Sequence, residues 1–306
     1  MSNVVILGVF VADTSFRADR LPRIGETVLG QSFVLGPGGK GSNQAVAAAR
    51  AGVATHMITR LGSDTFAEMA MRTWAEAGVN PAVTQHPESY TGAAFIFVEA
   101  HSGNNAIVIS PGAAGTITEA DIEARADLIG NCTVFVTQLE QPLLPARRAL
   151  QIARKGGAIT VLNPAPATKL PHGMLGLCDY VTPNELEAEA LTGIKVISME
   201  DATEAAAALV AAGAGAAIIT LGEKGALYHN GSETVHVPVY EAGAVVETTG
   251  AGDAFNGAFA AALAKGLAPE DAVRFGCAAA SISVTRHGTA PSMPGGAEIG
   301  ALLARS

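Results

Sequence analysis

Cysteine is scarce in this chain. Cys132, Cys178 and Cys277 are odd in number, far apart and set among apolar neighbours. Neither a disulfide framework nor a zinc spacing can be built from them. Inert buried thiols in a reducing cytosol, and so a cytoplasmic location, are the expectation. Cations are also few, with 19 Lys and Arg against 28 Asp and Glu. Without a basic stripe, nucleic acid is not expected as a partner, although backbone N–H groups can still hold a nucleotide's phosphates locally. No apolar run approaches the roughly 20 residues that cross a bilayer, so no membrane partner is expected. The run Val4 to Ala12 lacks a basic leader and reads as a strand, not a signal peptide.

Apolar and small residues fill the space left by charge. Nearly half of the 306 residues are apolar, 15% are charged, and 35 are glycine. Short β-branched runs at Val4–Val9, Thr55–Arg60, Thr133–Val136, Ala158–Leu162, Tyr180–Thr182 and Ala216–Thr220 alternate with helical patterns. Those patterns cover Asn43–Ala51, Thr65–Ala77, Glu119–Leu128, Leu144–Lys155, Glu185–Leu191 and Ala202–Ala212, and two more follow at Gly252–Lys265 and Pro269–Thr285. Continuously apolar strands separated by helices predict a doubly wound, mainly parallel α/β sheet covered on both faces. Two segments break the rhythm, Thr14–Gly36 and Thr91–Ile109, the second with turn residues Ser102 to Asn105. They predict a small antiparallel flap on a single domain spanning 1–306.

Two motifs carry chemistry. In Glu247-Thr248-Thr249-Gly250-Ala251-Gly252-Asp253, three small residues end a polar turn where a helix begins. Backbone N–H groups there can approach an anion, and the helix dipole adds about half a positive charge. Asp253 then stands where a carboxylate could take the proton of an attacking hydroxyl. Alternatively, it only complements the dipole. The second motif runs from Gly36 through Gly38, Gly39, Lys40, Gly41 and Ser42 to Asn43. Its formal G-x-G-x-x-G does not directly follow the first strand, against a dinucleotide fold. Lys40 is followed by glycine, against a Walker A loop. Asn43 is either a polar ligand contact or a helix cap.

Pro37 to Gly52 and Thr248 to Gly257 resemble, in this order, the two signature regions of the ribokinase-like (PfkB) carbohydrate kinases, and the similarity runs from Val4 to the C-terminus. The resemblance implies a doubly wound domain with a β-sheet lid, working on Mg²⁺·ATP and a small sugar, D-ribose first. Gly250, Ala251 and Gly252 would form the anion hole and Asp253 the base. Val11, Ala12, Asp13, Gly39, Lys40, Gly41, Ser42, Asn43 and Glu140 would line the sugar. Asn184, Thr220, Leu221, Gly222, Glu223, Lys224, Gly225 and Cys277 would hold ATP, with Glu187 acting indirectly on Mg²⁺. Glu247, Thr249, Ser283, Arg286, Gly288 and Ser292 would form a K⁺ site, and pairing through the lid would give a homodimer.

Val11-Ala12-Asp13 departs from the family pattern Asn-Ala-Asp, removing an amide from the sugar pocket. Glu247 replaces an aspartate of the K⁺ site. Deoxyribose, a ketohexose or a nucleoside remain alternative acceptors, and a non-catalytic sugar- or nucleotide-binding protein remains the alternative to an enzyme.

Overall fold

A computed structural model describes residues 2–102 and 104–305. Its strands are β1 (Asn3–Leu7), β2 (Val11–Ala18), β3 (Ser32–Gly38), β4 (Ala54–Leu61), β5 (Val79–Gln85), β6 (Thr91–Glu99) and β7 (Asn105–Gly112). They continue as β8 (Val134–Thr137), β9 (Ile159–Leu162), β10 (Tyr180–Val181), β11 (Ala216–Thr220), β12 (Ala226–His229) and β13 (Thr234–Val237). Nine of them form one sheet in the order β13-β12-β11-β10-β9-β8-β1-β4-β5, parallel except for the β12–β13 edge. The other four form a separate sheet in the order β3-β2-β6-β7.

The large sheet is doubly wound. Helices Lys40–Arg50, Ala251–Ala264 and Pro269–Ser283 contribute to one apolar cluster with Val4, Ile6, Val134 and Val136. Val5, Leu7, Phe135 and Leu162 belong to a second cluster, with helix Leu143–Lys155. Alternate residues of β1 therefore serve opposite faces, as a covered parallel sheet requires. Helices Lys40–Arg50 and Ala251–Ala264 come unusually close at Gly257. A Cβ there would lie 2.4 Å from the Gln44 carbonyl oxygen and 2.5 Å from the Ala47 Cβ, so only glycine fits the crossing.

Several details differ from the sequence reading. The apolar run Val4 to Ala12 divides: β1 ends at Leu7, and Val11 starts β2 in the small sheet. That sheet is mixed, not purely antiparallel, because β2 and β6 run parallel. Its strands begin at Val11 and end at Gly112, beyond the expected bounds on both sides. Gly103 of the expected turn lies outside the described residues. The pattern Glu119–Leu128 breaks into two short helices, Glu119–Glu123 and Ala126–Gly130. A final helix, Gly296–Leu303, went unread because its glycines blur the periodicity. No helix among the described residues is long and apolar enough to cross a membrane.

Candidate active site

The carboxyl ends of the parallel strands meet the starts of two helices. Helix Lys40–Arg50 begins directly after β3, with Gly39 as its N-cap at φ 89°. Its first donors are answered: the Lys40 N–H by Glu140 Oε2 at 2.8 Å, and the Ser42 N–H by the Val9 carbonyl at 3.1 Å. Asn43 therefore sits within the helix and is not its cap. Its Nδ2 donates to Asp253 Oδ2 at 2.9 Å, while its buried Oδ1 has no partner among the described residues.

Helix Ala251–Ala264 begins at Gly250, whose φ of 85° puts it in the left-handed region that favours glycine. The helix thus starts at Ala251, one residue before the expected Gly252. The Ala251 N–H reaches the Thr248 carbonyl and the Ala254 N–H that of Gly250. Among the described residues, nothing accepts from the Gly252 and Asp253 N–H groups between them, leaving a helix N-terminus open to an anion.

Asp253 is buried, in the third helical position. Burial raises its pKa, opposed by the Lys40 charge and by hydrogen bonds from Asn43 and Gln44. Burial works against the charge on Lys40 as well, but Asp253, Glu140, Glu187 and Asp13 outweigh it and raise the lysine pKa. The lysine is the central cation of a carboxylate cluster.

A cleft of about 180 Å³ is lined by Lys40, Asn163, Ala165, Thr182, Asn184, Glu187, Thr220, Gly250, Gly252, Asp253 and Asn256. Asn184 caps helix Glu185–Thr192 through a reciprocal pair with Glu187: each side chain accepts the other's backbone N–H, at 2.8 and 3.0 Å. The capping role and the place in the cleft therefore coexist. Glu187 has its pKa raised by burial, against the Asn184 N–H and Lys40. Mg²⁺ is commonly held by one or two carboxylates together with substrate phosphates. Glu187 at the cleft fits that requirement.

Asp13 is on β2, not at the end of β1. Burial pushes its pKa up to about 7, helped by Asp253 and Glu247 and opposed by Lys40. Burial likewise pushes Glu140 up to about 7, against the pull of Lys40. These two shifts set a pH dependence of stability. A carboxyl whose pKa rises on folding binds a proton more tightly when folded, so its contribution is full below the unfolded value near 4 and is lost as pH rises through about 7. The ligand-free protein should therefore gain thermal stability as pH falls from about 8 to about 5.5, and Asp13→Asn with Glu140→Gln should flatten that slope. Calorimetry across this range checks it, and a rising profile with pH in the parent would contradict it.

Other expected site residues lie further off. Val11 and Ala12 are buried on β2. Gly41 packs against Gly8. Ser42 is wholly buried and its Oγ accepts from Trp74 Nε1 at 2.9 Å, so its side chain faces the core and not the cleft. Of the segment Thr220 to Gly225, Thr220 lines the cleft, Leu221 is in a core cluster, and Gly222–Lys224 form a 3-10 turn that presents Glu223 and Lys224 to solvent. Gly225 closes the turn by accepting from the Leu221 N–H. Cys277 packs in a core cluster and is not among the residues lining this cleft, and burial pushes its thiol up to about 12.

The positions expected around K⁺ fall on two facing segments. Glu247 Oε2 accepts from the Gly288 N–H at 2.9 Å, and Ser292 Oγ donates to the Thr289 carbonyl. Thr249 precedes Gly250, and Gly250 in turn touches Thr289. Ser283 Oγ is tied to the Ala280 carbonyl, and Arg286 pairs outward with Glu298. Arg286 leaves only its main chain to face an ion, whereas the Ser283 hydroxyl oxygen keeps its lone pairs.

Five buried polar residues at the site went unread: Gln44, Gln138, Asn163, Thr182 and Asn256. Gln138, Asn163 and Thr182 directly follow β8, β9 and β10, and a polar residue just after an apolar strand was the available signal.

An open helix start beside a buried carboxylate, at the switch from sheet to cleft, is an arrangement that suits phosphoryl transfer. The chain belongs to the pfkB family of carbohydrate kinases, whose family model matches residues 1–295. It is an ATP-dependent carbohydrate kinase, a phosphotransferase with an alcohol acceptor. Among its relatives, a ribokinase of Haemophilus influenzae is 38% identical over 292 residues, covering 95% of each chain. A deoxyribokinase of Salmonella typhi is 37% identical over 294 residues, again covering 95% of each. The structure of Arabidopsis thaliana ribokinase complexed with ribose and ATP superposes with a TM-score of 0.92 at 30% identity, covering all of both chains.

Proposed function

We propose that this kinase transfers the γ-phosphoryl of Mg²⁺·ATP to the primary hydroxyl of D-ribose, giving D-ribose 5-phosphate, with Asp253 as base. The observation that carries the reading is the pairing of the unanswered Gly252 and Asp253 N–H groups with the Asp253 carboxylate in one helical turn. Phosphoryl transfer asks for positioned charge more than for covalent chemistry. The helix start would receive the travelling phosphoryl and Asp253 the proton of the attacking hydroxyl. The free Asn43 Oδ1 would accept from a sugar hydroxyl, and Asp13, Lys40 and Glu140 would complete the sugar side. Asn184 and Thr220 to Gly225 would run along the nucleotide. Bound Mg²⁺, placed through Glu187, would neutralise phosphate charge. K⁺ between the segments 247–249 and 283–292 would act as an activator.

The small sheet would serve as the lid, since β2 carries Asp13 and β3 runs directly into Lys40. Its outer rings, Phe16, Phe33 and Phe95, cluster at centroid distances of 4.9 and 5.8 Å and remain partly exposed. An apolar patch of this kind supports pairing of two chains through the lids. Sedimentation equilibrium should return twice the chain mass of 30.9 kDa; a monomer at assay concentration would contradict this. The reading places the enzyme in the cytoplasm, with free thiols.

The deciding experiment is a coupled assay on a sugar panel with and without K⁺. Val11 lies two residues before Asp13 on β2, and so on the same face. An apolar side chain there cannot reject a missing hydroxyl as an amide can. Discrimination between ribose and 2-deoxyribose should stay within about 10²-fold, and Val11→Asn should widen it towards ribose. Absence of ADP release with every sugar would sink the kinase reading for this chain. A clear preference for deoxyribose would move it to the second acceptor.

A further inference from the structure

We infer that Gln44 is a positioning residue for the reaction: its side-chain amide, braced by Gln138 and Asn163, fixes the orientation of the Asp253 carboxylate. The inference rests on Asp253 being the base. Gln44 is fully buried one residue beyond Asn43. Its Nε2 donates to Asp253 Oδ1 at 3.1 Å and to Asn163 Oδ1 at 3.1 Å, which uses both protons. Its Oε1 accepts from Gln138 Nε2 at 2.6 Å. Turning the amide over would set oxygen against two oxygens and nitrogen against nitrogen, so only one orientation satisfies all three contacts.

The braces are themselves fixed. Gln138 Oε1 is wedged where a Cβ on Gly8 would come within 2.4 Å and one on Gly41 within 2.9 Å. Asn163 Nδ2 donates to the Thr182 carbonyl at 3.0 Å, and Thr182 Oγ1 donates to Asn256 Oδ1 at 2.6 Å. Asn256 Nδ2 returns to the Gly252 carbonyl at 2.8 Å, beside the base. Among the described residues Gln138 Oε1 has no hydrogen-bond partner, so Gln138 is held by its Nε2 bond to Gln44 and by close packing against Gly8 and Gly41, while the chain from Gln44 through Asn163, Thr182 and Asn256 is continuous. Neither Gln44 nor Gln138 lines the cleft, so their effect on turnover passes through the cleft residues that Gln44 holds, Asp253 and Asn163. The other hold on the carboxylate, Asn43, carries the free Oδ1 facing substrate in the proposed reaction, which leaves Gln44 as the hold independent of substrate. The charged groups around Asp253 are Lys40 on the same helix as Gln44, Asp13 on β2, Glu140 after β8 and Glu187 on helix Glu185–Thr192.

The test compares Gln44→Met, Gln138→Met and Asp253→Asn in the full chain, with Mg²⁺·ATP and the best acceptor of the panel. Gln44→Met should lower kcat by about 30- to 100-fold with both KM values within about threefold, the signature of a misplaced catalytic group. The acid limb of kcat should move to higher pH, because the lost hydrogen bond favoured the carboxylate. Gln138→Met should show the same pattern more weakly. A Gln44→Met enzyme with kcat within about threefold of the parent and an unmoved acid limb overturns the proposal, as does one that changes only KM. Should Gln44→Met fail to fold, Gln138→Met decides, and an unchanged kcat and limb there are equally fatal. If Asp253→Asn stays active, the base assignment fails and this inference with it. If Asp253→Asn is inactive while Gln44→Met matches the parent, only the positioning role falls.

Discussion

Asp253→Asn should lower kcat by between about 10²- and 10⁴-fold, the range over which a positioned base contributes. The substitution preserves volume, so packing at this buried position is retained. What changes is donor chemistry. Both carboxylate oxygens accept, one from Asn43 and one from Gln44. An amide must present its NH₂ to one of these donors, and it cannot take a proton from a sugar hydroxyl. Nucleotide affinity should stay within about threefold, because the helix-start N–H groups do not depend on the side chain. Steady-state kinetics with nucleotide titration by calorimetry separates the two effects. Near-normal turnover would mean that another group accepts the proton.

Gly252→Val should cost about 10²- to 10³-fold in kcat/KM for ATP while leaving the melting temperature almost unchanged, a loss comparable to removing one donor aimed at developing charge. Gly252 is exposed at the second helical position, and an added Cβ there meets nothing within 4 Å. Valine is no worse than glycine as a helix former, so stability should shift by less than about 1 kcal/mol. The added methyls would stand in front of the N–H groups that no acceptor answers. Sugar binding measured without nucleotide should be unaffected. If the variant keeps its ATP kinetics, the phosphates lie elsewhere and the anion hole is misassigned.

Chemistry that is local in sequence was legible, and chemistry assembled from distant segments was not. Gly250, Gly252 and Asp253 share one helical turn, so composition and the coming helix were enough to place them. Lys40 and Asn43 were readable for the same reason. Gln44 stood beside them and was passed over, because its partners Gln138, Asn163 and Asp253 are 94, 119 and 209 residues away. No periodicity reports such pairing. Ser42 was read as a sugar contact because it lies in the motif, yet helix geometry turns it toward Trp74.

Strands followed a similar rule. The apolar strands of the large sheet announced themselves, whereas β12 and β13 are only four residues each and sit at the antiparallel edge. β5 contains Pro81, which disfavours an interior strand, and it lies at a sheet edge, where proline is tolerated. Polar β2 is a strand because neighbours pair with it on both sides.

Asp253 and the amides that grip it ride on different helices, and a missing side chain at Gly257 sets the gap between them. One methyl group at that crossing would prise the pair apart and swing Asn43 and Gln44 away from the acid. Turnover is thus hostage to a residue that meets neither sugar nor nucleotide. In a mutational survey of this protein, the alanine-lined seam between the two helices should score as part of the catalytic apparatus.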